Sequence, residues 1–195
     1  MQILYGFDQA FELQRPVAAV GSFDGVHLGH CRILQYLVSC AQTRNAQSVV
    51  VTFDPHPQQL LRPNSDFRTI NSLQINLQLI EAQGVDVAVV VPFTKAFSQL
   101  SYVDFVEQYL IGKMKVGTIV MGPNHAMGHN REGSHQLLAD LCERHHVSVV
   151  EIPELMLHDA GIHSAQIRKA IAEENWNLVD QMLGYHYEHS SHSTF

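Results

Sequence analysis

The sequence predicts an α/β fold built on a doubly wound parallel sheet, and three observations carry that expectation. Five short apolar, β-branched runs occur at residues 17–20, 48–53, 85–91, 118–121 and 147–152. Short continuous runs of this kind suit strands buried on both faces. Helical patterns fill the intervals at 28–43, 72–83, 102–113 and 132–145, giving the alternation that produces a parallel sheet with helices on both sides. The first run also stops at Gly21, and His27 and His30 follow immediately before a long helix. A strand, a glycine turn and a helix start form the place where such folds expose backbone N–H groups to phosphate, beyond the carboxyl ends of the strands.

Each element has a local reason. Gly21 leaves the strand end open to a ligand, because it has no Cβ. His27 and His30 are three apart and share one face of the first helical turn. Their imidazoles can donate to phosphate oxygens, with the helix N-terminus adding positive potential. Helical zinc pairs sit four apart with a glutamate between, and no glutamate lies between these two, so a metal site is not expected there. Asp24 reads equally as a turn former and as a ligand contact. Ser101 with Asp104 marks a helix start, and Gly84 and Gly112 are expected to follow helix ends. Residues 55–70 contain proline and asparagine with little periodicity and read as a loop over the site. Phe53 and Phe93 read as core aromatics at strand ends. The polar tail 188–195 is expected to fray.

Composition narrows the class. At 195 residues the chain suits one domain with a sizeable core. A formal charge of −7 argues against a nucleic-acid partner and leaves anionic substrates to local devices. Cys31, Cys40 and Cys142 are odd in number and lack a CxxC spacing, which fits free thiols in a reducing, cytoplasmic setting. No signal peptide or membrane span is expected.

The decapeptide GSFDGVHLGH (residues 21–30) is accompanied, in order, by TFDPHP (52–57), FSQLS (97–101), FVEQYL (105–110), MGPNHAMG (121–128), IHSAQIR (162–168) and MLGYHY (182–187). The series resembles the FMN adenylyltransferase half of the bacterial bifunctional riboflavin kinase/FAD synthetase family. The resemblance covers about residues 14–187. It implies a Rossmann-like sheet of the nucleotidyltransferase (HxGH) type over 1–187, with no riboflavin kinase domain following.

The resemblance also implies roles. His27 and His30, with Arg168 of IHSAQIR, would contact the nucleotide phosphates as catalytic groups. Gly21, Phe23, Asp24, Gly29, Gly122 and Ser164 would shape or hold the ATP site. TFDPHP resembles the flavin-side segment, so Thr52, Pro55, His56 and Pro57 would face FMN. Pro55 and Pro57 stiffen that loop, and His56 either donates to the FMN phosphate or packs the loop. Asn124 would bond ligand edges or form an Asx turn. Ser164 is expected to cap its helix.

The chain departs from the family pattern at several places. His163 stands for a serine, Ala165 for a threonine, Asn76 for a lysine, and His125 and Met127 for two aromatics. His163 is the candidate to replace the lost phosphate contacts. The implied chemistry is adenylyl transfer from ATP, with Mg²⁺, to FMN, giving FAD and pyrophosphate, with a separate riboflavin kinase as a possible source of FMN. No direct protein ligand for the metal is expected. Two alternatives stand beside it: transfer to another phosphate-bearing acceptor, and a non-catalytic nucleotide or flavin binder.

Overall fold

The computed structural model describes residues 1–9, 13–123, 128–129, 132–157 and 160–188. Asn124, His125 and Met127 therefore lie outside the described residues, as does the tail from 189. Six strands form one sheet: β1 (Gln2–Tyr5), β2 (Val17–Val20), β3 (Ser48–Asp54), β4 (Val87–Pro92), β5 (Thr118–Met121) and β6 (Ser148–Glu151). Their order is β1-β4-β3-β2-β5-β6, and every pairing is parallel. Val17 lies opposite Ser48 on one side and Thr118 on the other.

The alternation of side chains sends the two faces of β2 into different cores. Ala18 and Val20 join Val49, Val51, Val89 and Ile119 beneath the helices carrying Phe105, Leu110, Leu138 and Leu141. Val17 and Ala19 join Val50 and Val120 against Leu34, Leu37 and Ile80. Helices α1 (Leu28–Thr43) and α3 (Leu73–Ala82) supply that second face. The first face is covered by α4 (Tyr102–Asp104), which continues as a wider π-helical stretch Phe105–Lys113, and by α5 (His135–Arg144). The chain thus runs outward from β2 in both directions, and the strand order reverses between β2 and β5. Ligands bind at such a switch point, beyond the strand ends.

Several expectations are corrected. Strand β1 was not anticipated: only Leu4 of its four residues is buried, so QILY carries no apolar run. Residues 55–70 are not all loop, since Pro57 opens a short helix α2 (Pro57–Leu61) behind an N-cap at His56. Gly84 does follow α3, but Gly112 sits inside the last turn of the π-helical stretch, not after it. Ser101 caps α4 as its spacing predicts, accepting from the Asp104 amide at 3.0 Å. A short antiparallel pair, β7 (Met156–Leu157) and β8 (Ala160–Gly161), then leads to α6 (Ser164–Ala172) and α7 (Trp176–Leu183). These last elements form a third core around Ile70, Ile162, Ile167, Val179 and Leu183.

Candidate active site

The chain leaves β2 through a turn with three positive φ angles: Phe23 (46°), Gly25 (80°) and Val26 (38°). Left-handed backbone is expensive for a β-branched residue, so Val26 needs restraint from outside the turn. Gly25 is required here: a Cβ would also lie 2.9 Å from Cδ1 of Ile70. The turn delivers His27 as the N-cap of α1, its Nδ1 accepting from the His30 amide at 3.3 Å. A nitrogen that accepts carries no proton, so Nε2 is the donor. Gly29 lets the ring in, since a Cβ there would meet it at 3.1 Å. The His27 and His30 rings stack with centroids 3.7 Å apart and planes 18° from parallel. Phe23 packs on His30 with centroids 5.2 Å apart.

These rings open on a cavity of about 390 Å³ at the switch point. Gly21, Phe23, His27, Gly29, His30, Gly122, His163 and Ser164 all line it, with Ile33, Ile152 and Ile162 as apolar wall. Burial pushes the His27 pKa down to about 4, aided by the neighbouring His163 and Arg168. Burial and His27 hold His30 well below its ordinary value. Both imidazoles are therefore neutral donors near pH 7, not cations. Nδ1 of His30 is the one buried side-chain polar atom among the described residues without a hydrogen-bond partner. Such an atom costs about 1–3 kcal/mol.

Arg168 and Asp24 pair with each other and are not among the residues that line this cavity; Asp24 takes the turn-forming role that was one of its two readings. The Arg168 guanidinium meets the Asp24 carboxylate at 2.7 Å, with side chains 22% and 1% exposed. The same carboxylate accepts from the amides of Ile70 at 2.8 Å and Asn71 at 3.4 Å. Burial pushes the Asp24 pKa up against those three partners. Asp24 is thus the anchor that ties the turn to residues 70–71 and to α6. The other face of Arg168 lies over the Phe67 ring, 4.7 Å from its centroid, and Phe67 stacks on His56 at 4.7 Å. Arg168 consequently links the histidine cavity to the TFDPHP side.

Other sequence-selected residues find local partners. Ser164 is not the N-cap of α6: His163 takes that position, and Gln166 closes the box by accepting from the His163 amide at 3.1 Å. The Ser164 hydroxyl instead donates to the Asp24 carbonyl at 3.1 Å. His163 Nε2 meets Glu154 Oε1 at 3.0 Å on the cavity rim. The open space expected at Gly21 is taken up by the Phe23 ring, 3.2 Å from where a Cβ would stand. Thr52 is buried and donates to the Ser22 carbonyl at 3.3 Å. His56 Nδ1 accepts from the Gln58 amide at 3.1 Å. Burial, with Arg168 nearby, lowers the His56 pKa to about 4. Pro55 and Pro57 flank His56 at the start of α2. Phe53 and Phe93 meet edge to face at 5.5 Å within an aromatic cluster.

Sequence reasoning missed four side chains that shape the site. Asn76, read only as a lost lysine, is buried and accepts from the Gly25 amide at 3.0 Å. Asn71 and Tyr185 lie on the same turn, and Phe67 bridges His56 to Arg168. Tyr185 carried a signal as part of MLGYHY and Asn76 as a departure from the family pattern; Asn71 and Phe67 carried none. Among the described residues no group of three or more His, Cys, Asp or Glu side chains is placed to hold a metal ion. All three cysteines are free, and no described helix is long and apolar enough to cross a membrane.

The lowered histidine pKa values set the acid stability. His27 and His56 take up protons near pH 6.5 when unfolded but only near pH 4 in the fold, and His30 is likewise held well below its ordinary value. Stability is therefore fully present above pH 6.5 and falls as pH drops from 6.5 towards 4. The slope in that window is at most about 1.4 kcal/mol per pH unit for the buried His27, and smaller for His30 and His56, which are only partly buried. Thermal melting against pH should show a plateau above neutrality and a decline below it, shallower in His27→Asn. A midpoint that does not change between pH 7 and 4.5 would contradict the burial of these rings.

Comparison with known proteins places this geometry. The family model for FAD synthetase matches residues 10–166. A bifunctional riboflavin kinase/FMN adenylyltransferase of Buchnera aphidicola is 32% identical over 185 residues, covering 94% of this chain and 59% of that protein. One from Listeria monocytogenes is 35% identical over 173 residues, covering 88% and 54%. The chain thus spans a little over half the length of these relatives. Among solved structures, one described as a macrolide-efflux protein from Streptococcus pneumoniae superposes with a TM-score of 0.82 at 23% identity, over 95% of this chain and 60% of that one. Pantothenate synthetase from Thermus thermophilus gives 0.54 at 14% identity, over 94% and 82%. Both likenesses speak to the fold. With the family model matching residues 10–166 of the 195, the chain belongs to the FAD synthetase family.

Proposed function

We propose that this chain transfers the adenylyl group of ATP to FMN, with residues 1–187 acting as one nucleotidyltransferase unit. In the reaction a phosphate oxygen of FMN attacks the α-phosphorus of ATP. The bond to the β-phosphate oxygen breaks, and FAD and pyrophosphate result. Such a transfer needs little covalent work from protein; it needs two substrates aligned and the developing charge on the phosphates stabilised. The observation that carries the reading is the stacked, neutral His27–His30 pair at the N-terminus of α1, both residues lining the cavity. Neutral imidazole donors and a helix N-terminus suit an anion without requiring a net positive field.

His27 and His30 would donate to the phosphates and Arg168 would add its charge from behind them. Gly21, Phe23, Gly29, Gly122, His163 and Ser164 would form the nucleotide walls, and Asp24 would hold the turn. Thr52, Pro55, His56 and Pro57 would form the flavin side, to which the resemblance adds Asn124. His56 can donate through Nε2 because its Nδ1 already accepts from Gln58. Mg²⁺ belongs to the ATP in this reading, since it prefers phosphate oxygens and water to the imidazole nitrogens that line the cavity. ATP and FMN are then the small-molecule partners, with a riboflavin kinase activity as the source of FMN and the cytoplasm as the setting.

Incubation with ATP, Mg²⁺ and FMN should yield FAD on chromatography, and calorimetry should show FMN bound more tightly than riboflavin. Equal affinity for the two flavins would remove the phosphate role from His56. The His163–Glu154 pair favours one competing reading, because it puts a carboxylate on the rim where a triphosphate would lie. A chain that binds ATP and FMN but yields no FAD would be a binder and not a transferase.

A further inference from the structure

The strained turn at residues 23–26 is held at Gly25 by two bonds, one on each side of the residue. Asn76 Oδ1 accepts from the Gly25 amide at 3.0 Å. The Gly25 carbonyl accepts from the Tyr185 hydroxyl at 2.7 Å. That hydroxyl is aimed by a second bond, as it accepts from Asn71 Nδ2 at 2.8 Å. Tyr185 comes from the segment after α7, one residue beyond the Gly184 that ends the helix in left-handed conformation. We propose that Tyr185 is a positioning residue for the nucleotide, fixing the carbonyl of Gly25 so that the turn presents the His27–His30 pair to the cavity. The inference rests on the nucleotide reading of that cavity.

Three features give the bond this role. Phe23 and Val26 both hold positive φ angles, so the turn keeps its shape only while its surroundings over-determine it. Gly25 lies two residues before His27, whose Nδ1 must stay within reach of the His30 amide for the rings to stack. Asn76 restrains the amide of Gly25 and leaves its carbonyl to Tyr185. Burial also pushes the Tyr185 pKa up to about 12, so the hydroxyl keeps its proton across the whole working range. The nearby Tyr187 provides an internal comparison. Its hydroxyl donates to the Ile70 carbonyl at 3.1 Å, tying down the same C-terminal segment through Ile70, whose amide in turn donates to Asp24.

The test uses the full chain and Mg²⁺·ATP. Tyr185→Phe keeps the ring and removes the hydroxyl. By calorimetry its dissociation constant for Mg²⁺·ATP is expected to rise roughly five- to tenfold, the loss associated with one hydrogen bond. Affinity for FMN should stay as in the parent, and in FAD formation the KM for ATP should rise with the KM for FMN unchanged. Tyr187→Phe should melt at a lower temperature and keep its ATP affinity. Unchanged ATP affinity in Tyr185→Phe, or an equal loss in Tyr187→Phe, would overturn the proposal. Should Tyr185→Phe not fold, Asn71→Ala removes the amide that aims the hydroxyl and carries the same expectation and the same overturning result. A parent that binds Mg²⁺·ATP but forms no FAD overturns the transferase reading and leaves this inference standing. A parent that binds no ATP overturns both.

Discussion

Arg168→Ala is expected to lower the stability of the fold by about 3 kcal/mol, which for a chain of this size is a drop of roughly 10 °C in melting temperature. The reason lies with the partner left behind. Asp24 is 1% exposed, and without the guanidinium at 2.7 Å its charge would rely on the Ile70 and Asn71 amides alone. Its carboxyl pKa, already pushed up by burial, would rise further. The deficit relative to the parent should therefore shrink as pH falls and the variant's carboxyl becomes protonated. Asp24→Asn combined with Arg168→Ala should recover much of the loss, since an amide oxygen can still accept from Ile70 and no charge remains to be neutralised. Thermal melts of both variants at neutral and acid pH check this. A single variant within about 2 °C of the parent would mean that the pair contributes almost nothing.

His30→Ala is expected to behave in the opposite way, with activity falling by about 10²–10³-fold while the fold changes by less than about 1 kcal/mol. An ordinary buried side chain cannot be truncated at so little cost, because its packing and hydrogen bonds are lost together. His30 differs because its Nδ1 has no partner and its ring is held by stacking between His27 and Phe23. Removing the ring forfeits those contacts but also removes an unsatisfied polar atom. FAD formation measured beside a urea melt separates the two effects. A variant that still forms FAD at the parental rate, or one that loses several kcal/mol, would move His30 from the site into the core.

What was legible in the sequence was whatever repeats or concentrates along it. Strands β2 and β5 were read to the residue, because a short apolar or β-branched run bounded by a turn has few other interpretations. Helix α1 was read equally well from a helical periodicity sustained over sixteen residues. Strand β1 hid because an edge strand with one inward residue leaves no pattern. Helices α6 and α7 are nine and eight residues long and pack against a small separate core, so their periodicity is brief.

At the site, the motif identified His27, His30, Ser164 and Arg168 but not which of them meet. Ser164 and Arg168 both turn to Asp24, one to its carbonyl and one to its carboxylate. That geometry depends on where α6 docks, which no local spacing encodes. The contacts of Asn71 and Asn76 were hidden for a related reason. A buried asparagine is recognised by the group it satisfies, and those groups, the Tyr185 hydroxyl and the Gly25 amide, lie 114 and 51 residues away in the chain.

The bonds that finish the turn have a consequence for how the chain is made. All six strands have emerged by residue 151, so a nascent chain of that length already possesses the whole sheet. The contacts to the turn from Ser164, Arg168 and Tyr185 span 140, 144 and 160 residues. Until they form, residues 23–26 are held only by the earlier bonds from Ile70, Asn71 and Asn76, with the Asp24 charge and the Gly25 carbonyl still without their partners. Contacts of such sequence separation are late and slow to form. The pocket is therefore completed by segments made after the sheet, and synthesis that stops at residue 151 would leave a framework whose first loop is tied on one side only.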